Sequence, residues 1–132
     1  MNTIFCSPEH RVFYFTTLEK AGVNDSYHRA LFYTIGITAD SRNHVDDLFD
    51  FAEDSIRPDG LEKAWQTGGT MKLTRLAFNL WNGFSEEGRE RLTTPEELFC
   101  CSYAPYFYEA VKLRYPEYCR DIGHIPPNHA VR

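Results

Sequence analysis

The residues best placed to do chemistry open one helix: Thr67-Gly68-Gly69-Thr70-Met71-Lys72-Leu73-Thr74-Arg75. Two glycines at a helix start can hold an anion, because free backbone N–H groups and the positive end of the helix dipole both face it. The Thr67 and Thr70 hydroxyls would add donors, and Lys72 and Arg75 would add charge. The stretch is not a Walker loop, which needs G-x-x-x-x-G-K-[ST] after a strand. A plainer reading explains it as well: Thr67 caps the helix and the glycines let its backbone pass close to a neighbour. The next turns are less ordinary. Lys72, Arg75, Asn79 and Asn82 form a narrow polar strip, which could wall a cleft for a carboxylate or phosphate. More often such a strip simply meets solvent, or pairs with acids on the third helix.

Metal chemistry has weaker support. Cys119, His124 and His129 are zinc-ligand types, and Cys100 or Cys101 could complete a tetrahedral set. Their spacings fit no common zinc motif, and helical neighbours such as Cys100 and Cys101 point about 100° apart. No metal and no cofactor is therefore expected. Asp46, Asp47, Asp50, Glu53 and Asp54 place carboxylates at i, i+4, as magnesium or acid/base work would need, but with no second acidic helix they read as a solvated face. His28 and His44 have no nucleophile at a telling spacing, although a triad is assembled in space and one sequence does not exclude it.

The elements that must carry these residues read as helices. Ser7-Pro8-Glu9 signals a start and Lys20-Ala21-Gly22 a stop, with the strand-like Val12-Phe13-Tyr14-Phe15 between them. A second helix begins near Asn24-Asp25-Ser26. A third is expected after Asp40-Ser41, with Val45, Leu48, Phe49 and Ala52 along one stripe. Arg57-Pro58-Asp59-Gly60 is a turn. Over 69–82 the apolar residues cover an arc of about 220°, which marks a central helix. Residues 85–93 read as a charged connector. Thr94-Pro95-Glu96-Glu97 predicts a capping box and a short helix near 95–101, and Pro105 and Pro116 frame a last helix near 103–114, with Tyr103, Tyr106, Phe107, Ala110 and Val111 toward the core.

At 132 residues with 15% aromatics, the chain can bury one core without metal or disulfide. The expected fold is all-α, a compact single domain of five to six helices over 1–120 with a loosely ordered tail at 121–132. The net charge of −5 argues against nucleic acid as the main partner. No membrane span or leader segment is evident, so a cytoplasmic setting with reduced cysteines is expected.

Two segments, Trp65 to Gly83 (WQTGGTMKLTRLAFNLWNG) and Phe99 to Pro116 (FCCSYAPYFYEAVKLRYP), together with Phe49 to Gly60, resemble an uncharacterised family of small proteins from Gram-positive gut bacteria, often encoded near mobile elements. The resemblance implies a domain of unknown function and assigns no reaction, cofactor or residue role. The leading expectation is a non-enzymatic protein-interaction or accessory protein, contacting another protein or itself. The rivals are a small-molecule or phosphate-binding enzyme using Thr67, Gly68, Gly69, Thr70, Lys72 and Arg75, and a zinc-binding protein.

Overall fold

A computed structural model describes residues 3–120 and 122. Its first helix, α1 (Pro8–Ala21), starts where the Ser7 hydroxyl accepts the His10 N–H at 3.0 Å and Pro8 takes a first-turn position. It stops at Gly22, whose left-handed backbone (φ 73°) donates to the Leu18 and Glu19 carbonyls. These caps prevail over the strand-like composition of Val12 to Phe15. The next helix, α2 (Ser26–Ile35), is capped by the Asp25 side chain and buries every residue from Ala30 to Ile35. It packs against α1 and against two later helices, α5 (Gly68–Asn82) and α7 (Ala104–Arg114). The buried run Leu73 to Phe78 makes α5 the expected core helix, and α2 shares the centre with it. Gly36, just past α2, is where α1 comes close: a Cβ there would sit 2.8 Å from the rings of His10 and Phe13.

The third predicted helix does not run through. It is divided into α3 (Ala39–Asn43) and α4 (Val45–Leu48), after which the chain turns extended. Strands β1 (Phe49–Asp50) and β2 (Ser55–Ile56) pair antiparallel, with Phe49 opposite Ile56 and Asp50 opposite Ser55. Two local causes are visible. The Asp50 carboxylate accepts the N–H groups of Ala52 and Glu53, both at 3.0 Å, and so competes with a helical ladder. The extended Phe49 also buries its ring against Phe32, Phe51 and Trp81. Val45, Leu48, Phe49 and Ala52 are therefore not one stripe, and the helical segments number seven among the described residues. A 3-10 turn, Pro58–Glu62, then packs on α4 so closely that a Cβ on Gly60 would meet the Asp47 carbonyl at 2.5 Å.

Beyond α5 the connector contains a 3-10 turn, Glu90–Thr93, and the single-turn helix α6 (Pro95–Leu98). The predicted Thr94–Glu97 capping box does not form, because the Thr94 hydroxyl donates to the Arg91 carbonyl at 2.9 Å. The box is found instead at Thr67 and Thr70, each side chain accepting the other's backbone N–H. In α7, Phe107 and Ala110 are buried as expected, Tyr103, Tyr106 and Val111 lie half-buried against the core, and Glu109 is buried with them.

Candidate functional site

At the start of α5 the glycines differ. A Cβ on Gly68 would meet nothing, whereas one on Gly69 would lie 3.2 Å from the Tyr103 ring. The threonines cap each other's amides, so both hydroxyls are engaged within the helix start. The four polar-strip residues also have partners, all in the chain that follows the helix. Lys72 Nζ donates to the Glu97 carbonyl at the end of α6. Arg75 Nε meets Glu86 Oε1 at 2.5 Å, with both side chains largely buried. Asn79 donates to the Phe84 carbonyl at 3.1 Å, and Asn82 accepts the Phe84 N–H at 3.1 Å. The strip is the seat on which residues 84–97 fold back, and none of its pairs involves an acid of the third predicted helix. The neighbouring cavity, about 690 Å³, is lined by Asp59, Glu62, Glu86 and Glu87 against one cation, Arg89. That sign is unfavourable to an anion.

The acidic run has been separated by the break at Phe49. Asp47 accepts the Trp65 indole N–H at 3.0 Å, Asp50 holds the hairpin turn and Arg57, and Asp54 reaches His28. Asp46, Glu53 and Asp54 are exposed as expected of a solvated face, Asp54 while also holding His28. His44 lies between α3 and α4, stacked on Trp65 at 4.5 Å and donating to the Asp40 carbonyl. Among the zinc candidates, Cys119 is half-buried beside α7, Cys100 is exposed, Cys101 points toward the Leu98 carbonyl, and His124 and His129 lie outside the described residues. Among the described residues no group of three or more His, Cys, Asp or Glu side chains is arranged to hold a metal.

Two buried histidines carry the remaining polar chemistry. His10 is fully buried in α1. Its Nε2–H donates to the Tyr33 carbonyl at 2.7 Å, which fixes the tautomer and leaves Nδ1 to accept the Cys6 N–H at 3.2 Å. Cys6 Sγ lies 3.3 Å from that nitrogen and donates to the Ile37 carbonyl. A thiol beside an imidazole oriented by a third group has the outline of an activated nucleophile. Proton affinity decides against it. Burial, with the Arg42 cation assisting and the Tyr33 carbonyl opposing, holds His10 down to about 4. At pH 7 its imidazolium is disfavoured by roughly 4 kcal/mol, and its one acceptor site already takes a backbone N–H. The cluster is a neutral clasp on the N-terminal segment.

The same segment is held at two further points. The Ile4 N–H donates to Glu109 at 3.3 Å, and the Tyr33 hydroxyl donates to the Ile4 carbonyl. Phe5 packs on His10, Tyr14 and Tyr33. Burial raises the Tyr14 hydroxyl to about 12 and lifts that of Tyr33 further, Glu109 adding to the latter, so both phenols stay neutral.

His28 is also buried, yet both its ring nitrogens face carboxylates: Nδ1 to Asp25 at 2.8 Å and Nε2 to Asp54 at 2.7 Å. Carboxylates accept and do not donate when ionised, so this geometry requires both ring N–H groups, that is, an imidazolium. Burial works against the charge, but the hydrogen bonds to Asp54 and Asp25 outweigh it and raise His28 above its ordinary value. Asp25 is conversely lowered, burial opposing and the His28 N–H and ring prevailing. Asp54 occupies the left-handed region at φ 53°, the one non-glycine residue to do so among the described residues. The trio pins the hairpin to the start of α2.

Some apolar side chains face outward. Ile4, Val12, Phe15 and Val23 are exposed, Phe15 by 51% and Val12 by 61%, although both lie on a helix whose other face is core. Phe15 and Val23 line a groove of about 590 Å³ with Tyr14, Leu18 and Arg29, and Val12 lines a second, of about 390 Å³, with Phe13 and Arg42. On the outer side of α1, Val12 and Phe15 thus stand exposed among Glu9, Arg11, Thr16, Glu19 and Lys20, each beside a groove. Strand-like composition at Val12 to Phe15 was the trace of these exposed residues in the sequence; the cluster at Cys6, His10 and Glu109 left none, since the Tyr33, Ile37 and Ile4 groups that complete it are distant along the chain.

The family of unknown function DUF6075 matches residues 1–126. No curated protein and no solved structure matches the chain.

Proposed function

We propose, from the premise that this chain belongs to the DUF6075 family of unknown function, that it is a non-enzymatic binding protein that docks a partner protein on the outer side of α1. The observation that carries the reading is the pair of grooves on either side of α1, one edged by the exposed Phe15 and Val23 and the other by the exposed Val12. Exposed aromatic and aliphatic side chains beside a groove and flanked by charge are what protein interfaces use, and a half-exposed Phe is the type of residue that anchors them. The occupant is an apolar segment of another protein, whose side chains enter the groove beside Tyr14 and Leu18. Four free thiols fit a reducing compartment, and an accessory role in a bacterium or its mobile element belongs to the same reading. Among the described residues no helix is long and apolar enough to cross a membrane.

Photo-crosslinking tests it. A benzophenone side chain at position 15 should give one discrete heavier adduct in cells, lost when Val12→Asp is added, while the same probe at Glu53 in the hairpin turn gives none. An adduct of twice the chain's own mass would show a second copy as the occupant instead. No adduct, or equal adducts at both positions, overturns the reading, as would measurable turnover by a monomer without a partner.

A further inference from the structure

A second cavity, of about 250 Å³, lies between α2, α7 and the N-terminal segment, and its chemistry differs from the rest of the surface. Arg29, Lys112 and Arg120 line it, with Glu109 as the one carboxylate and Leu113 and Pro116 as apolar wall. Glu109 is already engaged: Oε1 pairs with Lys112 Nζ at 3.1 Å and Oε2 accepts the Ile4 N–H. That leaves two guanidinium groups uncompensated. Arg29 donates from one nitrogen to Asn24, at 2.8 Å to the backbone oxygen and 3.0 Å to the side-chain oxygen, and Arg120 donates to the Glu117 carbonyl at 2.7 Å. Neither pairs with a carboxylate among the described residues, unlike Arg57, Arg75, Arg89 and Arg91; Arg11, Arg42 and Arg114 also lack one, but Arg11 and Arg114 lie over aromatic rings and Arg42 donates to the Gly36 carbonyl. In a chain of net charge −5, the cavity's own described charges sum to +2, three cations less one carboxylate.

A guanidinium offers five N–H donors in a planar fork suited to carboxylate and phosphate oxygens, and each arginine here uses one nitrogen internally. The apolar wall favours a few carbons behind the charged head. The volume lies just under the usual range for drug-sized ligands, so the occupant is small. From this we infer that the cavity is a binding site for a small organic oxyanion, a carboxylate or phosphate monoester bearing a short apolar chain, gripped by Arg29 and Arg120 and seated on Leu113 and Pro116. The cavity adjoins the groove beside Phe15, with which it shares Thr3 and Arg29, whereas Leu113, Pro116 and Arg120 line this cavity and not that groove.

Amide NMR titration of the full chain with hexanoate, hexyl phosphate, inorganic phosphate and, as a cationic control, hexylamine decides the matter. Saturable shifts at Arg29, Leu113 and Arg120 are expected with the first two and not with hexylamine. Tighter binding of hexanoate than of hexyl phosphate identifies the head as a carboxylate, and the reverse order identifies it as a phosphate ester. Inorganic phosphate should bind more weakly than hexyl phosphate, because it lacks the chain. Arg29→Gln and Arg120→Gln should each weaken the better ligand by about tenfold, the loss of one charge-assisted contact. Arg120 is exposed, so its variant keeps the test sound should Arg29→Gln disturb folding. No saturable shift with any oxyanion, equal binding of hexylamine, or shifts unchanged in a folded Arg120→Gln protein would overturn the proposal.

Discussion

His10 and His28 are the same side chain at nearly the same burial, and their partners drive their proton affinities in opposite directions. His10 faces a carbonyl and a backbone N–H, and burial lowers it to about 4. His28 faces two carboxylates, whose hydrogen bonds outweigh burial and raise it. Desolvation acts alike on both, so the partners determine the sign. The comparison also separates two kinds of clasp. Loss of His10 strands buried groups, whereas Asp25 and Asp54 are open to water at 47% and 56% and can be rehydrated.

The largest expected effect breaks the buried clasp. His10→Ala empties a fully buried site and leaves the Cys6 N–H and Tyr33 carbonyl unpaired, and should cost about 3–5 kcal/mol in urea unfolding. His28→Ala should cost about 2 kcal/mol. Equal costs, or the reverse order, would show that the two sites do not differ in this way.

Next in size is the pH profile. His10's proton affinity is lower in the folded state, so between about pH 6.5 and 4 the unfolded chain binds a proton that the native chain does not. Its contribution is complete above 6.5 and falls away by roughly 3 kcal/mol on acidification through that window. His28 is raised, so its contribution is complete below 6.5 and is lost as pH rises through its folded value. Urea midpoints across pH should fall on both sides. His10→Gln should flatten the acid side, and His28→Gln the alkaline side.

A smaller change sharpens the role of charge. Asp54→Asn keeps an acceptor and tolerates positive φ, yet removes one carboxylate from His28. The cost should be about 1 kcal/mol, and imidazole NMR should show His28 titrating at lower pH than in the wild type. The smallest effect is expected from Tyr33→Phe, which deletes only the hydroxyl bond to Ile4, at most about 1 kcal/mol. Because His10 uses the Tyr33 backbone carbonyl, its ring should still stay neutral to well below pH 6 by NMR. A return to ordinary titration would mean that the phenol, rather than burial, holds it down.

How much of this was legible can be judged residue by residue. Ser7, Pro8 and Gly22 bounded α1, Asp25 opened α2 and Thr67 opened α5, because caps act within a few residues of the groups they satisfy. The polar strip of Lys72, Arg75, Asn79 and Asn82 stood out as unusual. Its use as the seat for the connector did not, since periodicity tells which face is polar and not what lies on it. The break at Phe49 was hidden because its apolar stripe satisfies a helix and a hairpin equally until Asp50 takes the Ala52 and Glu53 amides. At Thr94 the expected box lost to a nearer competitor, the Arg91 carbonyl.

A helical single-core domain, the ends of its main helices and the overall acidic charge can all be read along the chain, because propensity, capping and composition are local or additive quantities. Which histidine faces carboxylates, which arginines are left without one, and which apolar residues of α1 face outward are set by packing in space. Those properties depend on partners up to 105 residues away, as with Ile4 and Glu109. Burial and electrostatics depend on what packs in space, which the spacing of residues along the chain does not record.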